Sequence, residues 1–206
     1  MPTAKELLNY RDQLNTAVQN QSSEIYFNDS ILHAMIIMKE IFNKASVENR
    51  KKVCMFCGNF SLFRDETKEK IANEKNHCSL DGLNANEMRD WANIDFYNDL
   101  RDAFLAFLDH ADASFELILQ SGINTLKDMS IWELLENENL MRKIKVYASN
   151  FDIGLDHFVV TSDAYRVENS DTIKTATCCF NDKESANVLN DCFKELVKFS
   201  KPLSIM

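Results

Sequence analysis

His157 stands at the head of an apolar run, Phe158-Val159-Val160, with the length and composition of a buried strand. An imidazole so placed is a candidate catalytic group. Its bland alternative is a structural ring bonded to a neighbouring carboxylate such as Asp156. Asp163, in Ser162-Asp163-Ala164, is a second catalytic candidate, although an aspartate there also suits the turn that must send the chain back.

Four more residues are candidates for holding a ligand. His33 lies on the most apolar stretch of the chain, where a core histidine is the leading expectation, yet it shares its segment with Asn28 and Asp29. Asn59 and Asn150 follow two strand-like runs, Val53–Cys57 and Lys143–Tyr147, and ligands in open α/β sheets collect beyond the carboxyl ends of strands. Asn181 and Asp182 precede the last helical stripe, so capping is their expected role, with Asn181 kept as a binding candidate. His77 and His110 sit in polar surroundings that recruit them to nothing.

Other chemistries lack their parts. The chain has no Gly-rich phosphate loop, no serine elbow and no histidine pair at metal-ligand spacing. Cys54-Met-Phe-Cys57 has zinc-knuckle spacing. However, residues three apart on a strand point to opposite faces, so no metal and no cofactor are expected. The remaining cysteines fall at core positions, where a free thiol behaves as a small hydrophobe.

The elements that must position these groups are legible as periodicities. Helical stripes run over Ala4–Gln19 behind Thr3, over Ser30–Lys44 behind Asn28 or Asp29, over Arg64–Asn76, Phe96–His110 and Met129–Asn137, and over Asp182–Phe199, stopping before Pro202. Strand-like runs cover Glu24–Phe27, Val53–Cys57, Phe115–Leu119, Lys143–Tyr147, Asp156–Thr161, Ala164–Glu168 and Lys174–Phe180. The polar segment His77–Asn86 reads as a surface loop. Alternation of strand and helix argues for parallel central strands, and the short links between the last three strands make part of the sheet antiparallel. The fold class is therefore α/β, a mixed sheet flanked by helices.

A histidine leading a strand that returns through a second strand, close to the end of one domain, resembles the phospholipase D-like phosphodiesterases and nucleases. Their motif reads His-x-Lys, four residues, then Asp, with a Gly-Ser-x-x-Asn-like strand downstream. Here His157 is kept, Val159 holds the lysine place, and Ala164 holds the aspartate place with Asp163 one residue early. Thr175-Ala-Thr-Cys-Cys-Phe-Asn181 stands where the Gly-Ser strand belongs. The resemblance covers Ser46 to the end and implies one degenerate, single-motif domain over residues 1–206, with residues 1–45 as an N-terminal helical extension. It implies a histidine nucleophile, a homodimer to bring two motifs together, and a bacterial setting in which such domains accompany nucleic-acid processing or antiphage defence.

Charge narrows the choice. With 32 acidic and 23 basic residues the net charge is −9, so the average surface repels nucleic acid. The short basic clusters Arg50-Lys51-Lys52 and Arg142-Lys143 with Lys145 read as solvated strand entrances. No run approaches the length of a membrane span, and the first residues, Met-Pro-Thr-Ala-Lys-Glu, lack the apolar core of a signal peptide, so a cytoplasmic protein is expected. The leading expectation is a weakly catalytic or non-catalytic domain acting as a homodimer or as a subunit of a complex. The alternatives are an active phosphodiesterase or nuclease using His157, and an acidic inhibitor that occupies a basic partner site.

Overall fold

The computed structural model describes residues 2–58, 60–120, 137–149, 155–169 and 175–203. Within them an eight-stranded sheet runs in the order β1-β7-β6-β5-β2-β3-β4-β8. The strands are β1 (Tyr26–Asn28), β2 (Lys52–Cys57), β3 (Ser114–Leu119), β4 (Ile144–Ser149), β5 (Phe158–Val160), β6 (Tyr165–Asn169), β7 (Thr175–Cys179) and β8 (Ser200–Leu203). The β2, β3 and β4 strands are parallel, and every other pairing is antiparallel; between β5, β6 and β7 the short connections require it. The helices among the described residues are α1 (Ala4–Gln19), α2 (Ile31–Val47), α3 (Asp65–His77), α4 (Ala85–Asn93), α5 (Phe96–Asp109), α6 (Glu138–Met141) and α7 (Lys183–Lys198). None is long and apolar enough to cross a membrane.

Local chemistry explains most boundaries. Thr3 and Glu6 form a reciprocal capping box at α1, and Asp182 Oδ1 accepts from the Ser185 amide to start α7. Neither Asn28 nor Asp29 caps α2. Ser30 does, its hydroxyl accepting from the His33 amide, so Asn28 is freed to end β1. The segment 77–86 is not all loop, because Asn84 and Glu87 build a second capping box and open α4. β8 is a strand where Pro202 suggested only a stop; it lies at the sheet edge, where a missing N–H is tolerated. Most of the stripe expected over Met129–Asn137 lies outside the described residues.

The sheet is buried on both faces. One face meets α1, α2, α4 and α5 through a core rich in phenylalanine, in which Phe104 packs on Phe42, Phe63 and Phe115 with ring centroids 4.9, 5.3 and 5.1 Å away. The other face meets α7 through Ala186, Phe193 and Leu196. Cys57 belongs to the first core and Cys54 to the second, so the two thiols do point apart. Among the described residues no cluster of three metal-ligating side chains exists.

Three lysines of the basic clusters are engaged by the scaffold. Lys52 and Lys145 reach Glu116 of the intervening strand at 3.0 and 3.6 Å. Lys143 Nζ donates to the carbonyl oxygens of Leu108 and His110, where the α5 dipole leaves partial negative charge.

Candidate functional site

The ladder between β5 and β6 places His157 beside Glu168, whose amide donates to the His157 carbonyl at 2.8 Å. Register carries the row onward, because Glu168 pairs with Ala176 on β7 and Ala176 pairs with Asn28 on β1. Paired residues share a face, so His157, Glu168 and Asn28 lie along one row, with Ala176 buried between the last two. The next row holds Val159 and its partner Arg166. Both rows face α2.

The imidazole is gripped at both nitrogens. Nδ1 lies 3.3 Å from Glu168 Oε2, and Nε2 lies 2.9 Å from Oε1 of Gln120, the residue after β3. Phe56 packs edge-on at 5.8 Å, and a Cβ on Gly58 would stand 3.4 Å from the ring, so the backbone there closes the ring's flank. Arg166 Nη1 donates to the other Glu168 oxygen at 2.7 Å. Burial works against ionisation of Glu168, but the bond from His157 and the Arg166 charge outweigh it and draw the carboxyl down to about 2. A permanently ionised Glu168 orients the histidine and neutralises the arginine.

These groups open into a cleft of 1030 Å³ between the sheet face and the start of α2. His33 lines the same cleft, so the fold brings together two candidates that are far apart in the sequence. His33 Nδ1 lies 3.2 Å from Asp29 Oδ1, and its ring stacks at a tilt 4.3 Å from Tyr10. Burial lowers its pKa more than Asp29 restores it. His33 is thus a half-buried cleft residue and not a member of the apolar core.

The other candidates lie elsewhere. Asp163 sits on the β5–β6 turn, at the opposite end of β5 from His157, with Lys44 Nζ 3.5 Å away and Glu48 close by. Asn181 ties down the link between α1 and β1, donating from Nδ2 to the Gln21 carbonyl at 2.7 Å and accepting at its own carbonyl from Ser23. Asn59 and Asn150 lie outside the described residues. Sequence reasoning missed Glu168, Arg166 and Gln120. Arg166 and Glu168 could have been found as two charges at i and i+2 on a strand of otherwise inward-facing residues, which points both at one face.

Comparison with known proteins gives the fold and little more. No protein-family model matches the chain, and no curated protein matches it. Among solved structures it is similar to TrmBL2, an archaeal chromatin protein with a novel mode of DNA binding, at a TM-score of 0.53 and 12% identity. That alignment covers 97% of this chain and 65% of TrmBL2, so the chain spans about two thirds of that protein's length. It is also similar to Nuc, a phospholipase D family member from Salmonella typhimurium, at a TM-score of 0.47 and 8% identity, over 87% of this chain and 96% of Nuc. NucT from Helicobacter pylori gives a TM-score of 0.48 at 7% identity, over 87% of this chain and 99% of NucT. The likeness to TrmBL2 is one of fold: a mixed α/β sheet flanked by helices.

Proposed function

We propose that the chain is a phospholipase D-like domain that binds a phosphate ester at His157 and turns it over slowly or not at all. The observation that carries this reading is Val159. It lies two residues from His157 on the same face, in the place of the motif lysine, and is only 1% exposed. No cation projects from that position toward a nonbridging oxygen, and loss of one such contact costs on the order of 10² to 10³ in rate. The Gln120 carbonyl adds a second obstacle, because Nε2 must be released from it before it can reach phosphorus. The domain then works as a binding module, as a homodimer or as a subunit of a larger assembly. A chromogenic phosphodiester tests this: purified protein should turn it over barely above buffer. Robust hydrolysis abolished by His157→Ala would overturn the reading.

One observation favours an active enzyme instead. Arg166 is the cross-strand partner of Val159 and lines the cleft, so its guanidinium can serve where the lysine is missing. In that case His157 is the nucleophile, and a second copy of the chain supplies the second histidine. A strict monomer in sedimentation at micromolar concentration would remove this alternative, since it has no second histidine to offer.

A further inference from the structure

Two polar side chains in the cleft are buried and incompletely paired. Asn28, 4% exposed, has no hydrogen-bond partner at Oδ1, and Arg166, 9% exposed, has none at Nε. Both line the same cavity. A buried polar atom left without a partner costs about 1–3 kcal/mol, so such atoms in a native cleft point to something that satisfies them. Their chemistry is opposite: Nε is a donor on a cation and seeks an oxyanion, whereas Oδ1 is an acceptor and seeks an N–H or O–H.

We propose that Arg166 and Asn28 form a recognition subsite for a small phosphate ester that carries a hydroxyl group near its phosphate, Arg166 holding the phosphate oxygen and Asn28 accepting from the hydroxyl. The row geometry fits this division. Neighbouring strands are about 4.8 Å apart, so Asn28 stands roughly 10 Å across the sheet from the Glu168 backbone. A phosphate beside Arg166 and a two- or three-carbon hydroxylated arm spans that gap. The first turn of α2, at Ser30 and Ile31, lines the same space and adds the positive end of a helix dipole. Charge limits the ligand's size. Glu6, Asp29, Glu74 and Glu168 outnumber Lys70 and Arg166 around the cleft, which suits one phosphate group with hydroxyl donors and repels a long polyanion.

The inference rests on the phosphate-site reading above, and a matched pair of probes separates the two. Binding of glycerol 3-phosphate and n-propyl phosphate, equal in carbon number, is measured by titration calorimetry against the intact chain. Glycerol 3-phosphate should bind about tenfold or more tightly, and Asn28→Leu should erase that preference while leaving n-propyl phosphate unaffected. Arg166→Lys, which keeps the charge toward Glu168 and removes the Nε donor, should weaken both probes alike. Equal binding of the two probes to the unaltered chain overturns the role of Asn28 and leaves the phosphate site standing. Binding of neither probe overturns both. Because the probe comparison needs no variant, the test survives if Asn28→Leu fails to fold.

Discussion

Arg166 stands directly opposite Val159 across β5 and β6, so the only guanidinium lining the cleft among the described residues projects from the strand next to the one that carries His157. The relationship sets a sharp test of what the motif lysine could do here. Val159→Lys places an ammonium in a site 1% exposed and beside a like charge, which should cost several kcal/mol and lower the melting temperature markedly. The double variant Val159→Lys with Arg166→Val exchanges the two positions and should recover part of that loss. A fully stable Val159→Lys single variant with raised diester hydrolysis would show that the cleft accepts the lysine without rearrangement.

Glu168 links pH to stability. Its folded pKa, about 2, lies below the unfolded value of 4.5, so the stabilisation is fully present above 4.5 and is lost as pH falls toward 2. The side chain is 42% exposed and solvent-screened, so the contribution is modest, about 1 kcal/mol. Denaturant midpoints at pH 7, 4 and 3 should fall more steeply for the unaltered chain than for Glu168→Gln. Parallel curves would assign the Glu168 interactions no net worth.

The buried carboxylate of Glu48 behaves in the opposite sense. Glu48 accepts from the Thr161 hydroxyl at 2.7 Å and from the Ser162 amide at 3.1 Å, with the Asp163 carboxyl close by. Burial, with the neighbouring Asp163, pushes it up to about 7. The folded state therefore binds the extra proton more tightly, and stability falls as pH rises from about 4.5 to 7. Glu48→Gln should flatten that slope and be the more stable protein at pH 8, by roughly 1–3 kcal/mol. A variant less stable than the parent at pH 8 would mean that Lys44 holds the charged form in place.

Burial pushes the Cys54, Cys57 and Cys178 thiols up to about 12, which leaves them protonated at neutral pH. Cys192 is the least buried of the six cysteines. Iodoacetamide under native conditions should modify Cys192 first and leave Cys54 and Cys57 intact until denaturant is added. Tightly bound zinc in elemental analysis, protecting Cys54 and Cys57 together, would contradict their placement on opposite faces of β2.

Phe104 anchors the aromatic core between α5 and the sheet. Phe104→Ala removes a fully buried ring with three close aromatic neighbours and should cost about 3–5 kcal/mol in chemical denaturation. A loss under 1 kcal/mol would mean that the surrounding rings collapse into the space.

Periodicity in the sequence determined the mixed sheet, the order of most elements other than α4 and β8, and the opposed faces of Cys54 and Cys57, because side-chain direction along a helix or strand follows from local geometry alone. It also marked His157 as the head of a strand. Local chemistry held more than was read from it: the Asn84-x-x-Glu87 box that opens α4 was present, and Ser30 competed with Asn28 and Asp29 for one cap. Only the tertiary structure decided the site. Glu168 reaches His157 because two strands pair in one register, Gln120 arrives from the end of a strand on the far side of β2, and Asn28 joins the row through β7. Those meetings are set by strand order and register, which depend on how whole faces bury against α2 and α7, and a shift of one residue would send Arg166 and Glu168 to the opposite side of the sheet.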